Sequence, residues 1–140
     1  MWKQCENTNF NKKKTGKNIR VGTEGEKFAA DYLRKERYKV LETNVDYPWG
    51  EIDIVAKDYE NTLVFVEVKT FDKRGQPFVR DLELRPEDNM TRTKISNLVK
   101  SCQFFANNNP ILAKNGWRID LLSLTILDNH CDIRHLKSIG

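Results

Sequence analysis

Cysteine is scarce in this chain: Cys5, Cys102 and Cys131 are three in 140 residues, and no two stand as C-x-x-C. An odd count without that spacing argues against both a disulfide framework and a zinc ribbon. Cys102 falls on an apolar helical stripe and reads as a small core residue. Histidine is scarcer still, with His130 and His135 alone. Grouped with Cys131 they suggest a surface turn and strand more than a metal site. No apolar run approaches the roughly 20 residues of a membrane helix. The lysines near the N-terminus are followed by no apolar segment, so no secretory signal is visible and a cytoplasmic, non-membrane protein is expected. There is no internal repeat and no sign of a second domain.

The composition, 39% hydrophobic and 31% charged, is that of a globular domain long enough to bury a core. Its net charge of +4 is unevenly placed. Residues 1–20 hold six basic residues against Glu6, which leaves 18 basic and 19 acidic residues in the body. That first stretch is polar and aperiodic, and predicts a disordered basic arm ahead of a single domain over 21–140. Lys12, Lys13, Lys14, Lys17 and Arg20 could meet phosphates through salt-sensitive attraction, or the arm could serve only to solubilise.

Trp49 to Thr70 reads as two strands and a short turn. Ile52, Ile54 and Ala56 alternate with Glu51, Asp53 and Val55, the period of a half-buried strand. Leu63 to Val68 is β-branched and aromatic, yet ends in charge. Asp53, Glu67 and Lys69 therefore stand inside apolar strand sequence, where an ionised group is costly unless paired or bound to a metal. Pairing Asp58 with Thr62 leaves Tyr59, Glu60 and Asn61 as a three-residue hairpin loop. Asp53 then falls opposite Glu67, and Glu51 opposite Lys69, on one face with Cβ atoms about 5 Å apart. Two carboxylates so placed repel, and a cation between them removes that cost. The bland alternative is a cross-strand salt-bridge ladder.

Around this hairpin, Thr23 to about Arg37 predicts a first helix. Thr23-x-x-Glu26 fits a capping box, while Glu26 also shares an apolar face with Ala30 and Leu33. Lys39 to Asn44 predicts a strand, and Val45 to Trp49 a connection punctuated by Pro48. Residues 76–89 predict a mobile loop placed to meet substrate. Thr91 to about Asn107 predicts a second helix whose buried stripe is Ile95, Leu98, Val99, Cys102, Phe105 and Ala106, with Lys94 elsewhere on its surface. Trp117 to Leu127 and Asp132 to Lys137 predict two further strands. Arg118 and Asp120 share a face of the first, as a surface or cross-strand pair worth little.

Asp53 followed by Glu67-Val68-Lys69 resembles the D…(D/E)-x-K signature of the restriction-endonuclease-like nuclease superfamily. GEIDIV over Gly50 to Val55, with VFVEVKT over Val64 to Thr70, more specifically resembles the YraN-like family of small bacterial proteins. GEKFAADYL from Gly25, Lys94 with its helix, and RIDLL from Arg118 extend the likeness to roughly residues 22–137. In one departure, the family's usual basic residue two places after the motif lysine is here Phe71, which removes a phosphate contact.

The resemblance implies an α/β fold with a restriction-endonuclease-like core, a central mixed β-sheet flanked by helices. It implies Asp53, Glu67, Lys69 and Glu26 as catalytic residues, with Mg²⁺ or Mn²⁺ on Asp53, Glu67 and the carbonyl of Val68. Lys94 would be a supporting phosphate contact. Hard cations take oxygen ligands of this kind, and a divalent metal suits phosphodiester hydrolysis because it activates water and relieves transition-state charge. The expected function is a metal-dependent endonuclease on DNA, including branched or damaged forms. Alternatives are a catalytically inactive nucleic-acid-binding module, or an interaction protein whose basic arm meets an acidic partner. Some junction-cutting relatives act as dimers, which leaves a homodimer open although no interface stripe marks the sequence.

Overall fold

The apolar alternation and the turn chemistry predicted above produce a six-stranded mixed sheet in a computed structural model that describes residues 2–4, 17–75 and 91–139. Three early elements are β1 (Trp2–Gln4), α1 (Lys17–Lys35) and β2 (Lys39–Tyr47). They are followed by β3 (Gly50–Lys57), β4 (Leu63–Asp72), α2 (Arg92–Asn108), β5 (Trp117–Ile126) and β6 (Cys131–Leu136). The strand order is β1-β6-β5-β4-β3-β2. Only β4 and β5 run parallel, because the connection between them carries α2 across the sheet. This is an α/β fold consistent with the restriction-endonuclease-like core.

The two helices cover opposite faces. Ala29, Ala30 and Leu33 of α1 pack on Ile54, Val64, Val66, Leu122 and Leu124. Leu98, Cys102 and Phe105 of α2 pack on Val55, Leu63, Phe65 and Ile119. Both faces being covered, burial is continuous over Leu63–Val66 of β4 and over Ile119–Leu124 of β5 instead of alternating. Thr91 caps α2 by accepting the Lys94 N–H at 3.2 Å, where the sequence placed the helix start. No helix among the described residues is long and apolar enough to cross a membrane.

Three expectations change. First, α1 begins at Lys17 rather than Thr23. Thr23 is then inside the helix, and Glu26 is too far from its first turn to act as a capping-box partner. Second, part of the stretch expected to be an arm is ordered: Lys17 and Arg20 lie in α1, and Trp2–Gln4 pairs with β6. Strand β6 would otherwise present an unpaired edge on that side. Lys12, Lys13 and Lys14 lie outside the described residues, as does the loop expected over 76–89. Third, β2 continues through Val45 to Tyr47, where a connection was expected. Pro48 falls just beyond the ladder, where its missing N–H costs no pairing.

Candidate metal centre

The β3–β4 hairpin has the expected register. Asp58 N–H donates to the Thr62 carbonyl at 3.1 Å, and Ile54 pairs with Val66 and Ala56 with Val64. By the antiparallel alternation the next hydrogen-bonded pair would be Ile52 with Val68. The ladder stops short of it, and the Val68 N–H donates instead to Asp53 Oδ2 at 2.8 Å. A side chain has replaced a main-chain acceptor, and the two strands part around it.

Strand β2 takes part in the same irregularity. Thr43 pairs with Ile54 and Val45 with Ile52, so Asn44 and Asp53 are passed over together. Ile54 packs in the α1 cluster, whereas Ile52 and Val45 pack in the α2 cluster. Strict alternation would keep Ile52 and Ile54 on one face. The faces therefore exchange at Asn44 and Asp53, and Asn44 accommodates this with φ 53°. Asparagine adopts that left-handed conformation more readily than other non-glycine residues.

Three carboxylates meet at this break. Ligand oxygens of Glu26, Glu51 and Asp53 all lie within 4.8 Å of one another. Glu26 reaches them because α1 approaches β4 closely one residue earlier: a Cβ on Gly25 would stand 1.9 Å from Thr70 Oγ1. Only glycine fits that approach. The Asn44 side chain hydrogen-bonds the Glu26 carboxylate and draws its pKa down, but burial outweighs this and Glu67 adds to it, so the group ends above its ordinary value.

Glu67 is outside the mutual 4.8 Å set but belongs to the same electrostatic group. Burial pushes Asp53 up to about 8; Glu67 is the next largest cause, ahead of Glu26 and Glu51, and the Val68 N–H opposes them. Glu51, although exposed, is raised as well, by partial desolvation first and then by Asp46, Glu26 and Glu67. Lys69 Nζ stands 3.4 Å from Glu67 Oε1. Among the described residues, one ammonium thus contacts one of four clustered carboxylates, and the other three have raised pKa values.

Of the expected site residues, the fold brings Asp53, Glu67, Lys69, Glu26 and the backbone of Val68 to one place. Lys94 is exposed in the first turn of α2. Two residues were missed. Glu51 was weighed as a ladder partner of Lys69, yet it joins the carboxylates because the strands separate before that pair can form. The i, i+2 spacing from Asp53 was its available signal. Asn44 carried none beyond its tolerance of positive φ.

Arg118 and Asp120 need a correction, since Asp120 is fully buried and not part of a surface pair. Arg118 donates to Asp120 at 3.0 Å, to Asp58 at 2.6 Å and to Tyr38 Oη at 3.1 Å. His135 Nε2 donates to Asp120 at 2.8 Å, and in the neutral ring Nδ1 then accepts the Tyr32 hydroxyl at 3.1 Å. The His135 side chain is therefore largely covered, contrary to the surface strand expected, and both its nitrogens are engaged. Cys131 and Cys102 are both buried.

All donors at the strand break are hard oxygens, the chemistry that suits Mg²⁺ or Mn²⁺ more than a soft metal. Asp53 with Glu26 and Glu51 could hold such an ion, with Glu67 beside them. A cation there would offset the repulsion that adds to burial in raising the three pKa values.

A family model described as "Uncharacterised protein family UPF0102" matches residues 25–124. The chain is 36% identical over 119 residues to a UPF0102 protein of Syntrophomonas wolfei, covering 85% of this chain and 96% of that one. It is 35% identical over 117 residues to a UPF0102 protein of Persephonella marina, covering 84% and 90%. To a UPF0102 protein of Syntrophus aciditrophicus it is 36% identical over 122 residues, covering 86% and 87%.

Proposed function

The chain belongs to the uncharacterised protein family UPF0102, the YraN-like family of restriction-endonuclease-like type, and from that premise we propose a metal-dependent endonuclease that hydrolyses DNA phosphodiester bonds. The observation that carries the reading is the convergence of Glu26, Glu51 and Asp53 at the strand break, with Glu67 and Lys69 alongside. A bound Mg²⁺ or Mn²⁺ supplies Lewis-acid stabilisation of the phosphoryl oxygens and a water of lowered pKa.

The chain's own residues have separable tasks in this reading. Asp53 is held by the Val68 N–H and cannot swing away from the break. Glu26 and Glu51 close the donor set from α1 and from β3. Lys69 sets a positive charge beside Glu67, where it can stabilise charge developing on the phosphate or orient the attacking water.

The test is a panel of duplex, single-stranded, flapped and four-way DNA incubated with Mg²⁺ and with Mn²⁺. Cleavage of at least one form should require metal and fall by about 10²-fold or more in Asp53→Ala and Glu67→Ala, the scale of losing a main electrostatic stabiliser. A second reading, a nucleic-acid-binding module without cleavage, is favoured by Phe71 at the position where the family usually carries a basic residue. DNA binding that persists in both variants, with no cleavage by the wild type on any form, would establish that second reading instead.

A further inference from the structure

Two buried polar atoms among the described residues lack a hydrogen-bond partner, Trp49 Nε1 and Ser123 Oγ. Ser123 is fully buried. Ser101 is equally buried, yet its hydroxyl donates to the Asn97 carbonyl at 3.0 Å, so this fold can satisfy a buried serine. An unmatched hydroxyl in such a place calls for a reason.

Its neighbours supply one. Ser123 pairs in register with Lys69 on β4 and with Arg134 on β6. Leu122 and Leu124, on either side of Ser123, pack in the α1 cluster, as does Val68 beside Lys69. Alternation therefore turns Ser123 and Lys69 to the same, opposite face. Lys69 meets Glu67 at 3.4 Å, a long contact for an ammonium with three donors.

Resting on the metal-centre reading above, we propose that Ser123 is a positioning residue for Lys69. Its hydroxyl accepts a hydrogen bond from the ammonium when Glu67 gives its oxygen to a divalent cation. The ammonium and a divalent ion repel each other, so the contact of Lys69 with Glu67, already long, loosens when that carboxylate serves the ion. Lys69 then needs another acceptor close by, and the unmatched hydroxyl needs a donor. One rearrangement answers both needs and keeps the positive charge at the rim of the centre.

The test uses Mn²⁺ titration calorimetry on the full chain without DNA, together with thermal melts in chelator. Ser123→Ala should weaken Mn²⁺ binding about three- to tenfold, the range of one hydrogen bond to a charged group, and Ser123→Thr should restore it. In chelator Ser123→Ala should melt at or above the wild-type temperature, since it removes an unmatched group. In a Lys69→Ala background it should change Mn²⁺ affinity no further. A lowered melting temperature in chelator with unchanged Mn²⁺ affinity would make the hydroxyl purely structural and overturn the proposal. An affinity loss that persists without Lys69 would also overturn it, by assigning the hydroxyl to another neighbour such as Arg134. Wild type that binds no Mn²⁺, or binds it equally well as Asp53→Ala, defeats the metal centre itself and this role with it. Binding that needs Asp53 but ignores Ser123 defeats this role alone.

Discussion

Two polar clusters, one at the strand break and one at the tip of the same hairpin, handle buried charge in opposite ways. At the tip, burial alone would raise Asp58 and Asp120. Hydrogen bonds from Arg118 and two backbone N–H groups hold Asp58 below its ordinary value. His135, the Ser138 N–H and Arg118 do the same for Asp120. At the break, burial and mutual repulsion win, and Glu26, Glu51 and Asp53 are all raised. The first cluster has supplied its own cation and is complete. The second, among the described residues, has one lysine beside four carboxylates, and a further positive charge would offset their repulsion. The difference separates a structural network from a candidate site better than acidity or burial does.

The largest effect should come from unbalancing the complete cluster. Arg118→Ala leaves Asp58 and Asp120 without their shared partner and should cost about 3–5 kcal/mol, as a broken buried ion pair does. Urea denaturation measures it; a loss below about 1 kcal/mol would mean the network is no better than a surface pair.

The break should respond with the opposite sign. The Asp53 pKa is raised from 3.8 to about 8, so the folded state favours the protonated form. Its contribution is fully present below the unfolded value of 3.8 and is lost as pH rises through about 8. In chelator, Asp53→Asn should therefore stabilise the protein at pH about 8.5, by on the order of 2 kcal/mol, and leave it little changed near pH 4. Melts at the two pH values decide it, and equal shifts at both would contradict the electrostatic account. Mn²⁺ binding at neutral pH should also release protons, visible as a dependence of the calorimetric heat on buffer ionisation enthalpy.

Smaller effects test how the break is held. Gly25→Ala drives a Cβ into Thr70, so α1 must shift and carry Glu26 with it. A stability loss of about 1–2 kcal/mol is expected from overpacking, with weaker Mn²⁺ binding. Asn44→Ala removes the bond to Glu26 and also puts a less tolerant residue at the positive φ, at about 1–2 kcal/mol together. If Asn44→Gly proves equally damaging, the hydrogen bond matters more than the backbone conformation.

Much of this was legible in the chain. Asp58, the three-residue loop and Thr62 fixed the hairpin register because turn length sets pairing. Thr91 and the apolar spacing after it marked α2. The helix start at Lys17 was missed because Thr23 offers a strong local cap signal that the packed helix does not use. The burial of Asp120 was missed because an R-x-D pair looks the same on a surface strand, and only Asp58, Tyr38 and His135, distant in sequence, make it a core network.

Local chemistry alone thus determined the two hairpin strands, the register between them and the acidic residues that the hairpin brings near one another. These follow from side-chain period and turn length, which are properties of neighbouring residues. Which carboxylates share one centre was decided only by the tertiary structure. That required the face exchange at Asn44 and Asp53 and the close pass of Gly25 over Thr70. Both are compromises between packed elements, and a linear pattern does not record how two surfaces settle against each other.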